Sequence, residues 1–349
     1  MATKHWRRKL RITVGGGTVG GLSGALEGGA KDDASGSVLS GQTLNLDDLQ
    51  TEFQVHLNAI QHPDYAYVRI TNLSDDTSNQ IFQPGASFRI EAGYHEGPYG
   101  QIFQGEVKEQ RRGKLNGTDK YHDFLAVSSG VGYTYGHVSE TLPAGTKLKD
   151  IAQKAIQAMG QHGVTAGQLG DFGDKEFKRG VTLNAPAHDI LRWVAETANM
   201  AWYIEHGKVN MVKNGESLSG GGGVISPDTG LIGVPEQTLT GVNIRVLIDP
   251  RIKLKQMITL KSSVTESIQT SLSGPYISKA PLLTGISADG QYRVERIDHN
   301  GSVLGQEWYT TLICVDPKKE GGAAGKGRSV TNAVTEVQDT GSGGGGGGS

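Results

Sequence analysis

A single cysteine, Cys314 in the run TTLICV, stands among the 349 residues. One thiol per chain excludes an internal disulfide framework and a cysteine-built zinc site, and a thiol in an apolar run reads as a buried strand residue. Charge of one sign is lacking as well. The 34 basic and 36 acidic residues leave a net charge of −2, so no global field draws the chain to a polyanion or an anionic membrane. No apolar run is long enough to span a bilayer, and the first residues, MATKHWRRKLRITV, carry no apolar signal-peptide core. The expectation is a protein used without Sec export and without a membrane.

What the chain has in excess is glycine, 52 residues, clustered at 15–29, 220–223 and 341–348. Ordering glycine costs more backbone entropy than ordering any other residue, so these clusters read as loops and tails. The remaining length suits two or three domains.

Alternation at period two dominates the first part, in FQVHLNA (53–59), AYVRITNLS (66–74), ASFRIEAGY (86–94), GQIFQGEVKEQ (100–110) and YHDFLAVSSG (121–130). Turn residues flank each run, among them Pro84-Gly85, Gly97-Pro98 and Asn116-Gly117, which predicts an antiparallel β domain. Near residue 145 the period changes to that of a helix. Leu148, Ile151, Ala152, Ala155, Ile156 and Met159 share one face, with Thr146 as the expected N-cap, Asp150 in the first turn and Gly160 as the stop. A second helix is predicted at 186–198, opened by Pro186, and a hairpin turning at His206-Gly207 follows.

Alternation then returns, and the second β block repeats the order of the first. NIRVLID (243–249) corresponds to AYVRITN, MITLKS (257–262) to SFRIEAG, QYRVERIDHNG (291–301) to QIFQGEVKEQRRG, and EWYTTLICV (307–315) to YHDFLAV. The predicted fold is mainly β with an α+β insert: two similar antiparallel β domains of barrel or sandwich form, plus a small helix-containing domain. The expected boundaries are 1–136 for the first β domain with a Gly-rich insertion at 15–41, 137–216 for the α+β domain, 217–317 for the second β domain, and 318–349 for a flexible tail.

Candidate chemistry is sparse. Gly15, Gly17 and Gly20 satisfy GxGxxG, but GGLSGALEGGA is too glycine-rich to start the helix that faces a pyrophosphate, so a loop is the reading. His95-Glu96 is followed by Gly-Pro-Tyr, which breaks the helix that a zincin requires, and the histidines show no metal-ligand spacing. Glu106 and Glu109 are three apart and in a regular strand face opposite ways. No catalytic residue, cofactor site or metal site is expected. The basic runs WRRKLR (6–11) and KEQRRGK (108–114) are too short, and too poor in aromatic residues, for stable nucleic-acid binding; they suit strand ends and subunit contacts. The expected interface residues are Trp6, Arg7, Tyr94, Tyr99, Arg111 and Arg112.

PDYAYVRITNLS followed by FRIEAGYHEGPYGQIFQGEV resembles the first tube-like domain of tailed-bacteriophage baseplate hub proteins. The second block, TGLIGVPEQTLTGVNIRVLIDPRIKLKQMITL (229–260) and GQYRVERIDHNGSVLGQEWYTTLICV (290–315), is similar to the same family. The resemblance implies a structural virion protein made in the host cytoplasm, a homotrimer whose two tube-like domains per chain form a ring of six-fold character. One face of such a ring would meet the tail tube protein and the other the central spike protein, with the tape measure protein and other baseplate proteins nearby and DNA passing through. The Gly-rich segment at 15–41 and the loop at 264–285 depart from the family pattern. Two other readings are a hexameric tail-tube component, which should carry one tube domain per chain, and a hub-associated cell-wall hydrolase, which requires clustered carboxylates or a metal.

Overall fold

The computed structural model describes residues 7–15, 43–45, 49–75, 78, 86–218, 220–238, 241–262 and 289–317. The GxGxxG run after Gly15, the loop at 264–285 and the tail from 318 lie outside them. The first β block holds β1 (Arg8–Gly15), β2 (Thr43–Asn45), β3 (Thr51–Asn58), β4 (Tyr65–Thr71), β5 (Ser87–Tyr94), β6 (Tyr99–Asn116) and β7 (Asp119–Val127). An α+β unit follows, with α1 (Gly130–Tyr135), β8 (His137–Leu142), α2 (Leu148–Gly160), β9 (Thr165–Leu169), β10 (Val181–Pro186), α3 (Ala187–Ala198), β11 (Met200–Glu205) and β12 (Lys208–Lys213). The second β block holds β13 (Gly221–Ile225), β14 (Leu231–Gln237), β15 (Gly241–Leu247), β16 (Met257–Leu260), β17 (Gly290–Ser302) and β18 (Trp308–Val315).

The repeat read from the sequence holds strand by strand. In the first block the ladder runs β3-β4-β7-β6-β5, and in the second β14-β15-β18-β17-β16. Registers agree as well. Glu106 pairs with Val127 and Val107 with Ala126, while Arg293 pairs with Val315 and Val294 with Cys314. Both long strands then carry a bulge at the same place, after which Glu109 faces Leu125 and Arg296 faces Ile313. A bulge leaves one residue unpaired and bends its strand, so both blocks curve at equivalent points.

The two blocks are not separate sheets. Past its bulge, β17 pairs antiparallel with β3, from Arg296 opposite Asn58 to Ser302 opposite Glu52, and this joins the blocks in one 13-stranded sheet. Phe53 covers Gly301 at this junction, and its ring meets Trp308 edge-on at 5.5 Å between centroids. His56 Nδ1 lies 2.7 Å from Asp298 Oδ1 across the same pairing, and Arg296 Nε donates to that carboxylate.

Alternating residues of both blocks supply one apolar core, in which Ile12, Val55, Ile90, Phe103, Ile244 and Ile297 are fully buried. Each such side chain stabilises the fold by roughly 1.5–3 kcal/mol relative to exposure. A second apolar cluster lies in the α+β unit, where the predicted stripes of α2 and α3 pack with Trp202 and Met211. There α2 starts one residue later than expected. Lys147 is its N-cap residue, with its N–H bonded to Asp150 at 3.0 Å, while the Thr146 hydroxyl donates to the Pro143 carbonyl at 2.7 Å. The predicted turn at His206-Gly207 has positive φ at both residues, 49° and 78°, as a tight two-residue hairpin requires.

Candidate assembly surface

The stretch between β5 and β6 is a hairpin. Tyr94 N–H donates to the Pro98 carbonyl at 3.0 Å, and His95 and Glu96 lie exposed in the turn. Gly93 is required there, because its φ is +153° and a Cβ would stand 2.1 Å from the Pro98 oxygen.

Three of the expected interface residues gather at this end of the sheet. Arg7 is exposed and its carbonyl accepts the His95 N–H at 3.0 Å. Tyr99 donates to Glu91 Oε2 at 3.0 Å and carries Lys9 Nζ 4.4 Å from its ring centroid. Tyr94 is only 4 % exposed; burial pushes its phenol up to about 12, and its side chain belongs to the apolar core of the chain. Arg111 and Arg112 lie elsewhere, exposed on the far half of β6, roughly 40 Å along the strand at ~3.3 Å per residue. Trp6 lies outside the described residues.

One reading of the carboxylates is corrected. The bulge between Val107 and Glu109 sets Glu106 opposite Val127 and Glu109 opposite Leu125, two residues apart on β7, so both glutamates face the same side of the sheet. Regular alternation, on which the opposite-face reading rested, ends at the bulge. Glu106 is half-buried and burial raises its carboxyl, although the Val131 backbone N–H donates to it and partly offsets that effect. Glu109 is exposed. Among the described residues no group of three or more His, Cys, Asp or Glu is placed to hold a metal ion.

The strongest electrostatic feature was not singled out in the sequence. Glu205, at the end of β11, is buried where the α+β unit meets the sheet, and burial lifts its carboxyl to about 7 despite a hydrogen bond from the Leu254 N–H. Asp64, also buried and raised chiefly by burial, accepts the Asn58 N–H at 2.8 Å, and its charge and that of Glu205 repel. Beside them, Glu295 holds Arg293 Nε at 2.7 Å on one oxygen and Lys255 Nζ on the other, all three side chains being buried. Period-two patterning marks such residues only as charges on strands; their meeting depends on long-range pairing.

Two further features are strand edges. Past Val107, β6 has β7 on one side, and among the described residues no strand pairs with its other side. At one end of the sheet order, the only strand that pairs with β14 among the described residues is β15. Long unpaired edges are places where another chain can add.

Comparison with known proteins settles the family. A family profile described as "Baseplate hub gp41" matches residues 37–278. The chain belongs to that family. This baseplate hub protein is therefore a structural component of a phage tail. Its fold is similar to that of a 43 kDa tail protein of prophage MuSo2 from Shewanella oneidensis, at 8% identity and a TM-score of 0.55, covering 89% of this chain and 98% of that one. A tail protein from Neisseria meningitidis MC58 has the same fold at 9% identity and a TM-score of 0.55, covering 90% of this chain and 98% of that one. A search of curated proteins finds no match. No helix among the described residues is long and apolar enough to cross a membrane.

Proposed function

We propose that this baseplate hub protein works as a symmetry adaptor: a homotrimer whose six β blocks form a ring of six-fold character, joining the tail tube protein on one face to the trimeric central spike on the other. The observation that carries this is the repeat. Two blocks with the same strand order, register and bulge stand side by side in one chain, so three chains present six near-equivalent blocks, which suits both a hexameric and a trimeric neighbour. The domain division that goes with it is 1–136 and 217–317 for the two ring-forming units and 137–216 for the α+β unit outside them.

Near-neutral charge, −2 over the chain, fits a ring through which DNA passes without being gripped. Tail tube, central spike, tape measure and other baseplate proteins are the partners of this reading, and the virion tail is its location. Arg7 and Tyr99 at one end of the first block, and Arg111 and Arg112 at the other, are the surface residues assigned to contacts between subunits or with these partners, whereas Tyr94 acts through the core beneath them. Size-exclusion chromatography with light scattering tests the reading: three chain masses support it, six favour a tube component, and one at all concentrations contradicts a self-sufficient ring.

A further inference from the structure

The two edges that no strand pairs among the described residues, β6 beyond its bulge and the outer side of β14, occupy equivalent places in the repeat. Within the chain, the part of β17 beyond the bulge pairs with β3, the first strand of the other block's ladder. By the shared register, β6 is the counterpart of β17 and β14 the counterpart of β3. Among the described residues one chain therefore contains one such junction, β17 with β3, and the two strands of a second, β6 and β14, which do not pair with each other.

We propose that in the ring of the preceding section, on which this inference rests, β6 of one chain pairs antiparallel with β14 of the next, repeating between chains the junction seen within each chain. Three internal and three intermolecular junctions then alternate, and the closed ring leaves neither of these edges open. Its register follows from the ladders. Arg111 corresponds to Asp298 and Thr238 to His56, whose side chains touch across the internal junction at 2.7 Å, so Arg111 meets Thr238 of the neighbour. Gly113 corresponds to Asn300 and Glu236 to Gln54, so these two pair next, and Leu115 comes to the level of Ile232.

Composition agrees with this occupant. Leu115 is 50 % exposed and Val234 37 % exposed, which places two of the chain's large exposed apolar side chains on the two edges that would meet. The β6 edge carries Lys108, Arg111, Arg112 and Lys114 against Glu109, while β14 and the turn before it carry Glu236 and Asp228, so the charges are complementary. In β14 the register shifts between Ile232 and Glu236, a stretch that holds Gly233 and Pro235. Proline and bulges hinder strand addition, so the pairing is expected on either side of this stretch and not through it.

The test is site-directed cross-linking of the full chain. Cys314 is buried and burial raises its thiol, which keeps it out of the reaction. Arg111→Cys and Thr238→Cys are made singly and together, treated with a short bis-maleimide and resolved on denaturing gels, beside a double variant with Arg111→Cys and Gly215→Cys as the off-register control. The proposal expects the double variant to run at up to three chain masses, the two single variants to give a two-chain product only when mixed, and the control to give none. Light scattering on the uncross-linked protein separates the two ideas. A trimer in which the designed pair fails to cross-link overturns this edge pairing and leaves the ring standing, whereas no trimer and no cross-link overturn both. A chain that is monomeric by scattering but gives the in-register product supports the pairing as a weak contact.

Discussion

Replacing Glu205 by glutamine should stabilise the protein, and by an amount that depends on pH. Glutamine keeps the shape and the acceptor for the Leu254 N–H but cannot ionise. In the folded chain burial raises the Glu205 carboxyl from 4.5 to about 7, so between these values the folded state holds a proton that the unfolded state has released. Stability from this group is therefore fully present below pH 4.5 and is lost as pH rises to 7. At ~1.4 kcal/mol for each step of the pH scale, the loss amounts to about 3 kcal/mol by pH 8. Glu205→Gln should match the wild type near pH 4.5, gain on it through the window, and exceed it by about 3 kcal/mol at pH 8. Asp64 and His206 titrate in both proteins, so their direct contributions largely cancel in the difference. Urea denaturation from pH 4.5 to 8, followed by tryptophan fluorescence, to which the buried Trp202 and Trp308 contribute, measures that difference. A gap that stays constant with pH, or a variant less stable at pH 8, would refute the electrostatic account of this seam.

Glu295→Ala leaves Arg293 and Lys255 buried without their carboxylate and should cost about 3–5 kcal/mol, seen as a lower urea midpoint. Gly93→Ala forces a Cβ toward the Pro98 oxygen at positive φ and should destabilise the chain by at least about 2 kcal/mol, again by urea midpoint; an unchanged midpoint shows that the hairpin can relax. Peptidoglycan zymograms should show no clearing by the purified chain, and clearing that His95→Ala or Glu106→Ala abolishes would restore the hydrolase reading. Arg111→Glu should leave thermal stability within about 0.5 kcal/mol, because its side chain is exposed, while raising the dissociation constant of the trimer.

Most of the fold was legible because both β blocks alternate cleanly and are bounded by turn residues. FQVHLNA, AYVRITN and YHDFLAV became β3, β4 and β7 with little shift, and the order of the second block could be matched to the first. Helix stripes were equally plain. What pattern did not carry was the bulge at residues 107–109, since a bulge changes the facing of a strand without changing its composition. That one residue reversed the facing of Glu109 relative to Glu106. The seam around Glu205, Asp64 and Glu295 was hidden for a different reason. Its members are 64, 205 and 295 residues into the chain, and only the fold brings them together. The joining of the blocks through β17 and β3 was likewise a property of strand length: β17 runs past its partner β16, and nothing in QYRVERIDHNG says where its second neighbour lies.

The ring is the feature on which the proposed function depends. End-on electron-microscope views of the purified protein, averaged without imposed symmetry, measure it directly. Six densities around a hole, alternating in pairs so that the true symmetry is three-fold, are the predicted result. Six identical densities from six chains, or particles with no central opening, would contradict it.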